Sequence, residues 1–241
     1  MNTDSNAASN SASPTDATSI PEVHIYVLLD RSGSMQSIAS DVVGGFNRLL
    51  ADQQADGADA RMTLVQFDSN DPQEVIADAI PIAEMVGLDA STFVPRGGTP
   101  LLDATGRLMA TATARVAQRT SDSLPPEEIL FVSITDGHEN CSGEQTLASI
   151  KQLVDAHSAA GWTFVFLSAA LDVYSEASSM GMDQRSTQSW VGDSAGTGRA
   201  FDSLSASTRS HRRKVRNSEF FDKGDFFEGE KPAEDDRTDR E

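Results

Sequence analysis

Asp30-Arg31-Ser32-Gly33-Ser34 sets a carboxylate and two hydroxyls at alternate positions of one short loop. Three hard oxygen donors this close suit a magnesium-like cation far better than a soft metal. Two more donors of the same kind stand elsewhere: Thr99, in Arg96-Gly97-Gly98-Thr99-Pro100, and Asp136, in Thr135-Asp136-Gly137. Together they offer three hydroxyls and only two formal negative charges. Such a set implies weak to moderate affinity and an open coordination position, since Mg²⁺ held this way keeps several waters. Mn²⁺ and Ca²⁺ are the alternative ions.

These donors need elements to place them. Asp30 ends Val23-His24-Ile25-Tyr26-Val27-Leu28-Leu29, an apolar, β-branched-rich run that reads as a strand buried on both faces. Asp136 follows a second such run, 128–135. Open α/β sheets bind ligands at the carboxyl ends of their strands, so the two carboxylates converge if these strands are neighbours at the switch point. A helix over about 37–54 presents Ile38, Val42, Phe46, Leu49 and Leu50 at three- and four-residue steps. Strands over 60–68 and 74–82 flank Asp68-Ser69-Asn70-Asp71-Pro72, a cluster of turn formers that predicts a hairpin and hence an antiparallel edge strand. Thr99 as N-cap and Pro100 in the first turn open a helix to about 118. A helix over 145–160, a strand over 162–167, a short helix over 172–180, an edge strand over 187–191 and a helix over 197–214 follow. The last carries Phe201, Leu204 and Val215 inward. This alternation predicts a doubly wound α/β sheet with helices on both faces.

The 241 residues suffice for one sizeable domain with short tails. A formal net charge of -18 repels a phosphate backbone, which argues against nucleic acid as a partner. Cys141 is the single cysteine, so an intramolecular disulfide and a cysteine-based zinc site are excluded, in keeping with a reducing compartment. The first residues do not read as a signal peptide and no apolar run reaches membrane-spanning length, so a cytoplasmic protein with no membrane association is expected. Residues 1–20, rich in Ser, Asn, Ala, Thr and Asp, read as a disordered leader. The domain is expected over 21–210, with a charged, flexible tail over 211–241. In that tail Phe220-Phe221 and Phe226-Phe227 are candidates to dock on the domain or on a partner. The basic cluster His211-Arg212-Arg213-Lys214-Val215-Arg216 reads as a solvated helix end favoured by the helix dipole, with an acidic partner or the chain's own acidic tail as the alternative.

Asp30-x-Ser32-x-Ser34, Thr99 within Gly97-Gly98-Thr99-Pro100-Leu101, and Asp136 within Thr135-Asp136-Gly137 resemble the metal-ion-dependent adhesion site (MIDAS) of the von Willebrand factor type A (VWA) domain at every position. The resemblance covers roughly 21–210. It implies a Rossmann-like sheet of order 3-2-1-4-5-6 with one antiparallel edge strand. It also implies that Ser32, Ser34 and Thr99 approach the ion directly or through water, while Asp30 and Asp136 act largely through bound waters and hydrogen bonds to those hydroxyls. In family complexes a partner's Asp or Glu often completes the coordination. Intracellular members, bacterial or phage, often work beside an AAA+ ATPase.

Taken alone, the loop reads equally well as Asp30 capping it and Ser32 and Ser34 satisfying its backbone; Thr99 and Asp136 in order shift the balance to a metal site. Arg31, Met35, His138 and Glu139 read as rim residues that contact a partner. No nucleophile with a paired base stands out, so the expectation is a non-enzymatic, Mg²⁺-dependent protein-interaction module. Two alternatives stand beside it: a metal-assisted hydrolase with Glu139 or His138 as base, and a structural or adhesive component of a phage or cell surface.

Overall fold

The computed structural model describes residues 21–232 and 234. The expected leader over 1–20 and the acidic residues Asp235 and Asp236 lie outside them. Six strands form one sheet: β1 (Glu22–Asp30), β2 (Ala60–Phe67), β3 (Glu74–Pro81), β4 (Glu127–Thr135), β5 (Thr163–Ser168) and β6 (Thr187–Ser189). Their spatial order is β3-β2-β1-β4-β5-β6, and every pair is parallel except β2 with β3, as the turn formers between them required. Five α-helices flank the sheet: α1 (Ala39–Asp56), α2 (Leu101–Ser121), α3 (Leu147–Ala159), α4 (Val173–Ser179) and α5 (Ser194–Arg216).

β1 is apolar from Ile25 to Leu29 because it divides these residues between two cores. Ile25, Val27 and Leu29 pack toward α1 and α5, while Tyr26 and Leu28 pack toward α2, α3 and α4. The expected inner face of the first helix holds: Ile38, Val42, Phe46, Leu49 and Leu50 are all buried. Its start differs, because Gly33–Ile38 form a 3₁₀ turn that tucks Met35 and Ile38 inward before α1 begins. α1 and α5 lie close enough that a Cβ on Gly45 would fall 2.4 Å from Phe201 Cδ2.

The C-terminal region departs most from expectation. α5 runs six residues past the expected domain end at 210, and the packed chain continues beyond it. Phe226 and Phe227 are buried in the α1/α5 core and Phe221 packs against it, whereas Phe220 is fully exposed. Lys223 donates to Glu128 and to Gly161 O, and Lys214 pairs with Glu228. Nor is the basic cluster a solvated helix end. Arg212 is buried and donates to Gln53 O (2.7 Å), Gly57 O (2.8 Å) and Asp59, while Arg216 pairs with Asp56 and Asp59. The end of α1 and the turn after it supply carboxylates and free carbonyls at that point, and the guanidiniums satisfy both.

Candidate metal centre

The register Leu29↔Ile134 sets the carboxyl ends of β1 and β4 side by side at the centre of the sheet. This is the switch point, since β1 leads to β2 on one side and β4 to β5 on the other. Asp30 is buried there. Its Oδ1 accepts from Ser32 N (2.6 Å), which curls the loop, and its Oδ2 accepts from Thr135 Oγ1 (2.5 Å). Ser34 Oγ donates to Asp136 Oδ1 (2.7 Å) and lies 3.0 Å from Ser32 Oγ. Hydroxyls of one loop and the carboxylate of another thus form one hydrogen-bonded chain.

Thr99 arrives on the third loop. Gly97, in the left-handed region at φ 68°, turns this loop, and its carbonyl accepts from Gly33 N (3.0 Å) while Arg96 N donates to Arg31 O (2.8 Å). Thr99 N donates to Asn140 Oδ1 (2.9 Å), and Asn140 N returns a bond to Thr99 O (3.1 Å). A Cβ built on Gly137 would sit 3.6 Å from Ser34 Oγ and 3.8 Å from Thr99 Oγ1. Glycine therefore leaves a small cradle between two of the hydroxyls. Thr99 does not serve as the expected N-cap. Glu139 takes that task for α2, accepting from Leu102 N (2.9 Å), and Ser142 Oγ accepts from Asp103 N (3.1 Å).

The electrostatics fit a cation. Burial pushes Asp30 up to about 6, against the hydrogen bonds from Thr135 and Ser32 that favour its charged form. Burial also raises Asp136. Among the described residues neither carboxylate has an ion-pair partner. A divalent ion between them would offset both charges. Among those same residues no group of three or more His, Cys, Asp or Glu is arranged to hold a metal, so an ion here relies on hydroxyls. That donor set is hard and largely neutral, matching Mg²⁺ in kind.

Two of the four expected rim residues are not at the rim. Met35 is fully buried in the α1/α5 core, because the 3₁₀ turn points it inward. Arg31 is 3% exposed; its guanidinium turns under the loop to Asp68 (Nε to Oδ2, 2.7 Å), Gln66 and Glu74. Asp68 also accepts from Arg96 Nε (2.9 Å), so this network, buried at Arg31 and Asp68, fastens the loop of Ser32 to the loop of Thr99. Glu139, half-buried, is occupied by Leu102 N, Cys141 N, Ser142 N and Ser142 Oγ. His138 is exposed and faces Asp172 (3.1 Å) and Glu176 (3.6 Å). Burial and the neighbouring Glu139 and Asp103 push the exposed Cys141 thiol up, which disfavours its thiolate. Thr135, Asn140 and Asp68 hold the donors in place without having been singled out. Thr135 carried a signal, being the residue next to Asp136, whereas Asn140 and Asp68 are polar loop residues like many others.

No protein-family model and no curated protein matches the chain. Similarity appears at the level of fold. The pilus adhesin SpaC from Lactobacillus rhamnosus GG matches with a TM-score of 0.57 at 14% identity, over 80% of this chain and 31% of that one. Proximal thread matrix protein 1 from the mussel byssus matches at 0.52 and 12% identity, over 77% of this chain and 47% of that one. A structure of the same mussel protein with a zinc-occupied MIDAS motif matches at 0.51 and 14% identity, over 76% and 46%. This chain spans less than half the length of either protein. What it shares with them is the fold, and the strand order with its single antiparallel edge is the one that the resemblance to VWA domains implies.

Proposed function

We propose that this chain is a protein-interaction module whose grip depends on a divalent ion, Mg²⁺ in the cell. Ser32, Ser34 and Thr99 would hold the ion directly or through water, and Asp30 and Asp136 would orient those hydroxyls and offset its charge. When bound, the ion supplies a localised positive charge on which a partner's Asp or Glu closes. The observation that carries this reading is convergence. Three loops separated by up to 102 positions bring Ser34, Asp136 and Thr99 around the backbone of Gly137, beside a buried Asp30 with no cationic partner among the described residues. The mussel protein's zinc-occupied motif supports a metal at such a site in this fold.

The module is non-enzymatic in this reading. Glu139, the candidate base of a hydrolase, is committed to backbone amides and Ser142, and His138 to two carboxylates. Its setting would be the bacterial or phage cytoplasm, beside an AAA+ ATPase. No helix of the described residues is long and apolar enough to cross a membrane, which is compatible with that setting. A structural or adhesive role is the second reading, favoured by the fold shared with an adhesin and a thread matrix protein.

Calorimetry with Mg²⁺ and Mn²⁺ on the wild type and Asp30→Ala tests the first step. Heat in the wild type and none in the variant is expected; equal, negligible heats would remove the metal. A pull-down in Mg²⁺, repeated with chelator, should then yield a partner in the first case only. Metal-dependent self-association with no other partner would favour the structural reading.

A further inference from the structure

The walls of the metal centre continue into an apolar groove. Two residues past Ser34 the chain enters one wall, the 3₁₀ turn and the start of α1. The other wall is the segment 85–96, which climbs beside α1 and leads into Thr99. Asn47 fixes that segment, its Nδ2 donating to Leu88 O and its Oδ1 accepting from Leu88 N, both at 2.8 Å. Between the walls lies a groove of about 470 Å³ whose lining is mostly apolar, Val43, Ala90, Phe93, Val94 and Pro95 among it, with Gln36 and Ser40 as its polar members. That volume admits one or two large apolar side chains. Val94 stands 49% exposed at its lip, and Phe93 forms its buried floor.

We infer that groove and metal centre are two halves of one docking surface. Its occupant is a partner segment with one Asp or Glu, a Leu-, Ile- or Phe-sized side chain a few positions away, and basic residues around them. This inference rests on the metal-dependent reading above. Charge complementarity selects the basic surroundings: the chain carries 37 acidic and 19 basic residues, the exposed Asp89 adjoins Ala90 of the groove, and the exposed Asp172 faces His138 two residues past Asp136. A carboxylate therefore meets attraction at the ion and repulsion elsewhere. The chain's own outlying segments do not suit the groove. Residues 1–20 hold Met1 and Ile20 as their only large apolar side chains and join β1 at the opposite edge of the sheet, and 233–241 offers nothing apolar beyond Ala233. A second copy would bring another -18 charges against the first.

A displayed library of random dodecapeptides, bound to the full chain in Mg²⁺ and eluted with chelator, tests this. Recovered peptides should be net basic and carry one carboxylate with a large apolar residue within about four positions. A selected peptide should bind Val94→Asp at least about tenfold more weakly. Mn²⁺ calorimetry and thermal unfolding of that variant should match the wild type. Peptides with a carboxylate but no apolar preference, or equal binding by Val94→Asp, would overturn the groove while sparing the metal reading. Absence of Mn²⁺ heat in the wild type would sink both. Sedimentation showing Mg²⁺-dependent self-association, lost in Phe220→Ala, would hand the groove to a second copy and overturn the inference.

Discussion

β1 and β4 carry a buried carboxylate at each edge of the sheet, in opposite company. At the carboxyl edge Asp30 is surrounded by neutral donors, Ser32 N and Thr135 Oγ1. At the amino edge the Glu127 side chain is also withdrawn from solvent but faces Arg61 (3.2 Å), Arg115 (2.8 Å) and Arg119 (3.3 Å), with His24 Nδ1 at 3.2 Å. Burial alone would raise both. It pushes Asp30 up to about 6, whereas His24 and Arg115 overcome it at Glu127 and hold that carboxyl at about 2. A buried carboxylate already paired with guanidiniums is a structural tie. One given only hydroxyls and an amide retains an electrostatic deficit that a cation relieves.

The comparison breaks first at Glu127. Replacing it in Glu127→Gln leaves three guanidiniums facing a neutral group and should cost about 3 kcal/mol in urea unfolding. A loss under about 1 kcal/mol would mean the tie is not structural. The pH dependence has a definite sign. A carboxyl lowered from 4.5 to about 2 adds stability that is complete above 4.5 and disappears as pH falls toward 2.

Asp30 should behave oppositely. The folded protein keeps its proton up to about 6 while the unfolded chain releases it near 3.8, so its contribution falls as pH rises across that window. Metal at a hundredfold excess over its Kd should then restore about 2.7 kcal/mol to the wild type at pH 7. Asp30→Asn should gain about 1 kcal/mol without metal and nothing from its addition. Thermal unfolding with Mg²⁺ or chelator reads both. Destabilisation of the metal-free Asn variant would show that Asp30 is a tie like Glu127.

The smallest stability effect belongs to Gly137→Ala, whose functional effect falls on the ion alone. The added methyl makes ordinary contacts with Ser34 and Thr99, so stability should change by no more than about 0.5 kcal/mol. It fills the cradle between the two hydroxyls, and Mn²⁺ affinity by calorimetry should drop about tenfold. Unchanged affinity would place the ion elsewhere.

Much of this was legible beforehand for local reasons. The strands ending at Asp30 and near Asp136, the hairpin of β2 and β3, and the inner face of α1 follow from periodicity and turn chemistry within a dozen residues. Arg31 and Met35 were misplaced because a polar or flexible residue in a short loop has no pattern to show which way it faces. The basic cluster on α5 was misread for a similar reason. Its carboxylate and carbonyl partners, Asp56, Gly57 and Asp59, lie more than 150 positions earlier and become neighbours only when α5 packs on α1.

The sequence by itself determined which atoms are available at the carboxyl edge of the sheet: three hydroxyls and two carboxylates at the ends of strands and loops, where apolar runs must stop. Tertiary structure decided what those atoms meet. It buried Asp30 without a cation, joined Ser34 to Asp136, set Thr99 across Gly137, and turned Arg31 away to Asp68. Donor identity is a local property of the chain, whereas charge compensation depends on what lies within a few ångströms, and only the packed sheet settles that.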